Sequence, residues 1–99
     1  MTLKAYELLN EGRALLRQGR KEQTFAKIQA ANELNGNTAL GFALGVCGAI
    51  ELEPKDTADR EMRAAIDDDV LDLIVELLGS DALETAEKMK AKLRQQRGA

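Results

Sequence analysis

A chain of 99 residues with 44% apolar and 31% charged side chains is long enough for one modest core and too apolar to stay disordered. With no histidine and a single cysteine, it lacks a Cys–His catalytic pair, the commonest zinc ligand sets and any internal disulfide. A net charge of −3 and an isoelectric point near 5.0 oppose a phosphate-binding footprint.

Aromatics are limited to Tyr6, Phe25 and Phe42, and Pro54 is the one proline. The expected class is therefore all-α, a compact irregular bundle of five to six short helices spanning 1–99 as one domain. The N-terminal sequence "MTLKAYELLNEGR" has no apolar h-region or cleavage motif, and no apolar run approaches the roughly 20 residues of a bilayer span. The expected setting is cytoplasmic, with no membrane partner.

In chain order, residues 3–18 place Ala5, Leu8, Leu9, Gly12, Leu15 and Leu16 at helical spacing, with Thr2 as N-cap and Gly19 as stop. Residues 21–34 repeat the pattern with Phe25, Ile28, Ala31 and Leu34. "NGN" at 35–37 breaks it. This first hairpin resembles a tetratricopeptide repeat at Gly12, Gly19, Ala31 and Leu34. It departs at Leu8, Thr24 and Gly36, where that pattern wants tryptophan, alanine and proline. The resemblance implies an antiparallel helix pair over about a third of the chain, too little for a stack of the usual three or more units. No family is assigned.

A third helix over 38–52, capped by Asn37 or Thr38 and ended by Pro54, contains the segment "GFALGVCGAI". Gly41, Gly45 and Gly48 fall within about 60° of one another on it, at about 100° per residue. Each glycine costs roughly 0.8–1 kcal/mol against alanine, so the row needs a compensating contact. A G-x-x-x-G-x-x-G spacing with no preceding strand is not a dinucleotide loop. The helix is apolar all round and so is expected to be central, its glycine face a groove for a helix of the same fold or of a second copy. Cys47, in the same segment, is expected to be a buried structural thiol.

Asp56 is the expected cap of the next helix. Met62, Ile66, Val70, Leu73, Ile74, Leu77 and Leu78 keep helical phase, which fits one helix over 56–78 or two broken near Asp67. Ser80 is the expected cap of a last helix reaching about Arg97, with a narrow stripe of Ala82, Ala86, Met89 and Leu93.

Charge is uneven along the chain: +2 over 1–35, −2 over 36–54, −5 over 55–79 and +2 over 80–99. Asp68, Asp72 and Glu76 share a helix face, with Asp69 beside them. A like-charged run of this kind is destabilising without a helix N-terminus or a cationic partner. The expected function is accordingly non-enzymatic: binding and blocking or adapting a partner protein with a basic surface. Inhibitors and adaptors of mobile elements and phages have this build. The residues assigned to it are Asp68, Asp69, Asp72 and Glu76, with Lys88, Lys92 and Arg94 as a basic rim. Neither a metal nor a cofactor is expected, and a homodimer is the alternative use of the glycine groove.

Two other classes fit less well. A helix–turn–helix regulator would have to read bases with Leu40, Phe42, Ala43 and Leu44, which belong in a core. A metal-dependent phosphohydrolase would find one carboxylate pair in Asp69 and Asp72 but no second pair facing it.

Overall fold

The computed structural model describes residues 2–98, and these form six α-helices: α1 (Leu3–Arg17), α2 (Lys21–Leu34), α3 (Thr38–Glu51), α4 (Thr57–Ala65), α5 (Asp68–Leu78) and α6 (Leu83–Gln96). A single 3-10 turn, Ser80–Ala82, precedes α6, and there is no strand among the described residues. The all-α bundle expected from composition is the fold observed.

The boundaries follow local chemistry. Thr2 Oγ1 accepts from the Ala5 amide and opens α1. At its other end the Gly19 and Arg20 amides donate to the Leu16 and Leu15 carbonyls. That paired closure needs a left-handed residue, and Gly19 supplies it with φ +79°. Between α2 and α3 the expected cap is corrected: Asn37 holds the N-cap position without a side-chain bond. The Asn32 side chain, reaching from α2, accepts from the Ala39 amide instead. Asp56 and Asp67 each cap their helix by accepting from the third amide on. The 56–78 segment is thus two helices, broken at Ile66–Asp67. Ser80 makes no cap, because the chain enters α6 through the 3-10 turn.

α1 and α2 form an antiparallel hairpin, α5 and α6 a second one, and α3 meets α1, α2, α4, α5 and α6. The helix expected to be central is central. Its Phe42, Val46 and Ile50 join Leu16, Ile28, Ile66, Leu71 and Met89 in the main core. Each such side chain contributes about 1.5–3 kcal/mol by leaving water. Ala5, Leu8 and Ala31 make a smaller cluster at the end of the first hairpin.

Within that hairpin, α2 buries Thr24, Ile28 and Ala31, whereas Phe25 is half-buried and Leu34 is 53% exposed. Ile28 and Ala31 are inward as expected, and the face keeps its direction but is narrower: Phe25 and Leu34 lie at the two edges of the expected stripe, and Thr24 lies near its centre at about 100° per residue. Thr24 tolerates burial because its hydroxyl donates to the Arg20 carbonyl at 2.9 Å.

Candidate functional site

The acidic residues sit where α5 begins, and lysines from two other helices meet them. Asp67 receives the Val70 amide on one oxygen and the Lys21 ammonium of α2 on the other. Lys21 also reaches Asp69 at 3.3 Å. On the far side Lys90 of α6 binds Asp72 at 2.7 Å. These contacts answer the repulsion built into three consecutive aspartates: α5 opens with acids at its dipole-positive end and cations on both flanks.

The protonation equilibria respond in kind. Partial burial works against ionising Asp67, but the bonds from Lys21 and the Val70 amide outweigh it and hold the carboxyl below the usual range. Lys21 is pushed up, first by its bond to Asp67, and Lys90 by its bond to Asp72.

Of the four acids singled out in the sequence, Asp69 and Asp72 therefore carry lysine partners. Asp68 and Glu76 are exposed and make no ion pair among the described residues. Asp69 and Asp72 also line an open cleft of about 560 Å³ between α2 and α5, together with Lys21, Glu22, Phe25 and Leu73. Phe25 and Leu73 give that cleft a half-buried apolar floor, and Glu22 adds a carboxylate to its rim.

The basic residues singled out in the sequence all lie on α6. Lys92 ties α6 to α3 through Glu51 at 3.1 Å, Lys88 pairs with Glu84 along its own helix, and Arg94 is exposed. The cations that meet the acidic side are Lys21 and Lys90, which nothing in the sequence pairs with Asp67, Asp69 or Asp72. Among the described residues, no group of three or more acidic, cysteine or histidine side chains is arranged to hold a metal ion.

The glycine face requires the largest correction. α3 buries Ala39, Phe42, Ala43, Val46 and Ile50, and their mean direction lies about 150° around the helix from the glycine row at about 100° per residue. Gly45 is exposed, Gly41 and Gly48 half-buried. No helix of the fold enters the groove: a Cβ at Gly41 would meet nothing within 4 Å, and one at Gly48 only Leu52 Cδ1 at 4.0 Å. At Gly45 the neighbour is the Arg13 guanidinium of α1, 3.3 Å from where a Cβ would stand. An all-apolar helix must choose which side to bury. Here the bulky Phe42–Val46–Ile50 ridge fills the core better than glycine could.

The same choice leaves Leu40 and Leu44, expected in the core, 49% and 65% exposed. With Cys47, Ile74, Leu78 and Met89 they line an apolar groove of about 370 Å³ between α3 and the α5–α6 hairpin. Cys47 is half-buried there, and burial, reinforced by the Glu51 charge, pushes its thiol up. It is a protonated, poorly nucleophilic thiol at neutral pH.

None of the described helices is long and apolar enough to cross a membrane. Compared with known proteins, the chain matches no family model, no curated protein and no solved structure.

Proposed function

We propose that this is a non-enzymatic interaction protein that docks onto a partner protein, as an inhibitor or adaptor, through the acidic α2–α5 face. The observation that carries the proposal is the α2–α5 cleft itself: an apolar floor of Phe25 and Leu73 inside a rim where three acids, Glu22, Asp69 and Asp72, outnumber one cation, Lys21. Asp68 and Glu76 extend the negative charge along α5. Apolar centre and charged rim are the anatomy of a protein interface, and the sign of the rim favours a basic amphipathic helix.

Asp68 and Glu76 are the decisive residues because neither side chain makes an ion pair or hydrogen bond among the described residues. Reversing both to lysine leaves the Lys21 and Lys90 contacts intact. A synthetic Lys/Leu amphipathic helix serves as the probe. The double variant Asp68→Lys/Glu76→Lys should bind it about tenfold more weakly, a loss of about 1.4 kcal/mol, with unchanged helical circular dichroism. Equal affinity of variant and parent would remove the acidic face from the function.

Self-association is the second reading, favoured by Leu40 and Leu44. The groove beside them carries one ionisable acid, Asp81, so two copies of a net-negative chain meet there with little like-charge repulsion. Leu44→Lys should then abolish any concentration-dependent dimer in analytical ultracentrifugation, and a parent that stays monomeric at high concentration would end this reading.

A further inference from the structure

A second groove, on the opposite side of α3 from the Leu40–Leu44 surface, is built differently. It runs between α1, α3 and α4 with a volume of about 510 Å³. Phe42, Val46, Ala49 and Met62 supply apolar walls, and Gly45 and Gly48 lie along its α3 edge. Arg13 and Arg17 of α1 line it, one helical turn apart.

Both arginines are half-buried, and neither makes an ion pair or hydrogen bond with the described residues. Of the other half-buried cations, Lys21 pairs with Asp67, Lys27 with Glu11 at 2.9 Å and Lys90 with Asp72, whereas Arg63 of α4, like Arg13 and Arg17, has no side-chain partner among the described residues. In a chain of net charge −3, two unanswered guanidinium groups against apolar walls are a local imbalance that a carboxylate partner corrects. The Arg13 guanidinium lies against α3 at Gly45, 3.3 Å from where a Cβ would stand.

Two features define the occupant. Arg13 and Arg17 are spaced i,i+4, about 6 Å apart at Cβ, which matches carboxylates one turn apart on a facing helix. The Gly45–Gly48 edge removes the side chains that would hold such a helix away. Lys55 and two carboxylates, Glu53 and Asp59, also line the groove, so the acids of an occupant are confined to the Arg13–Arg17 edge.

We propose that the α1–α3–α4 groove docks an acidic amphipathic helix of a partner protein, its paired carboxylates on Arg13 and Arg17 and its apolar face against Phe42, Val46 and Met62. The glycine row is then a smooth bed for a segment outside this chain. With a basic helix on the α2–α5 face and an acidic one here, the protein is equipped to bridge two partners.

The test uses the full chain and a synthetic Glu/Leu amphipathic helix of about four turns, its glutamates at i,i+4. Fluorescence anisotropy at low salt should show saturable binding, weakened about tenfold or more in Arg13→Glu/Arg17→Glu. A Gln-for-Glu peptide should bind the unaltered protein at least tenfold more weakly, which keeps the test valid if the double variant fails to fold. Gly45→Leu should also weaken binding. Equal affinity for the Gln peptide, or an unchanged Kd in the arginine variant, would overturn the assignment. So would tighter binding of duplex DNA, or a self-association lost in Arg13→Glu/Arg17→Glu but retained in Leu44→Lys, which would make the occupant a second copy. The α2–α5 proposal stands or falls separately, because none of these substitutions touches that cleft.

Discussion

Gly12 on α1 is buried because Ile28 on α2 occupies the space its side chain would fill. A Cβ at Gly12 would lie 2.8 Å from Ile28 Cδ1 and 3.2 Å from Cγ1. Ile28 itself is fully buried and anchors α2 in the main core. Any side chain at Gly12 would force Ile28 to shift, so the α1–α2 hairpin depends on a missing side chain on one helix and a specific branched one on the other.

Gly12→Ala should therefore destabilise the protein. Overpacking of about 1–3 kcal/mol exceeds the helix-propensity gain of about 1 kcal/mol, for a net loss of about 1 kcal/mol by urea denaturation. Ile28→Val removes the closest atom, Cδ1, and alone should cost about 0.5–1.5 kcal/mol. The double variant should be more stable than the sum of the single losses implies, because valine vacates the space that alanine needs. Strict additivity would show that the two side chains do not compete.

The glycines of α3 should respond in the opposite sense. Gly41 and Gly48 have helical backbone and open or ordinary van der Waals surroundings, so Gly41→Ala and Gly48→Ala should each stabilise the isolated protein by about 0.8–1 kcal/mol. Gly45→Ala should gain less, since its methyl presses on Arg13 at 3.3 Å. Thermal melts of the three variants rank them directly. A loss of stability at Gly41 or Gly48 would mean that the face is not open in the free protein.

These two glycine sets show what was legible in the sequence. Helical periodicity located α1, α2 and α3 to within a residue, and the capping chemistry of Thr2, Asp56 and Asp67 is read directly from residue type. Gly12 and the α3 glycines look alike on that basis. Only the three-dimensional arrangement distinguishes them, since it decides which side of an apolar helix faces the core. On α2 the stripe is narrower than the apolar residues suggest, with Thr24 buried at its centre and Phe25 and Leu34 left at its edges, because a satisfied hydroxyl buries as readily as an apolar group. The acidic run was visible as a charge problem, but its solution was not: Lys21 and Lys90 reach α5 from helices that only tertiary packing brings alongside.

The end of α6 closes two other helices. Gln96 Nε2 donates to the Ile50 carbonyl of α3 at 2.6 Å. The Arg97 guanidinium donates to the Ile66 and Arg63 carbonyls at the end of α4, at 2.6 and 3.2 Å. The Arg63 carbonyl also accepts from the Ile66 amide at 3.3 Å, whereas the Ile50 and Ile66 carbonyls are of the kind a helix terminus leaves without an internal partner, and a cation there also suits the helix dipole. Arg97→Ala should cost about 1 kcal/mol and raise amide exchange at the C-terminal turn of α4 ahead of the rest of the molecule. Arg97→Lys should recover part of the loss. Uniform exchange in the alanine variant would place the contribution of Arg97 elsewhere.

The Lys21–Asp67 pair predicts the pH dependence. Asp67 caps α5, and asparagine caps nearly as well, so Asp67→Asn removes the charge while leaving the cap. The native carboxyl is held below its unfolded value, so its contribution is fully present above about pH 4 and fades as pH falls through the lower folded value. Lys21 is raised, so its share is present below about pH 10.4 and is lost as pH climbs through the higher folded value. Both groups face solvent in part, with 40% and 30% of their side chains exposed, which limits the pair to about 1 kcal/mol or less. Asp67→Asn should thus lower stability by a fraction of a kcal/mol at pH 7 and by nearly nothing at pH 2. Lys21→Met in the Asp67→Asn background should cost less than Lys21→Met alone, apart from the smaller contribution of Asp69 at 3.3 Å. A pH-independent effect of Asp67→Asn would show that the aspartate acts only as a cap and that the ion pair joining α2 to α5 does not stabilise the fold.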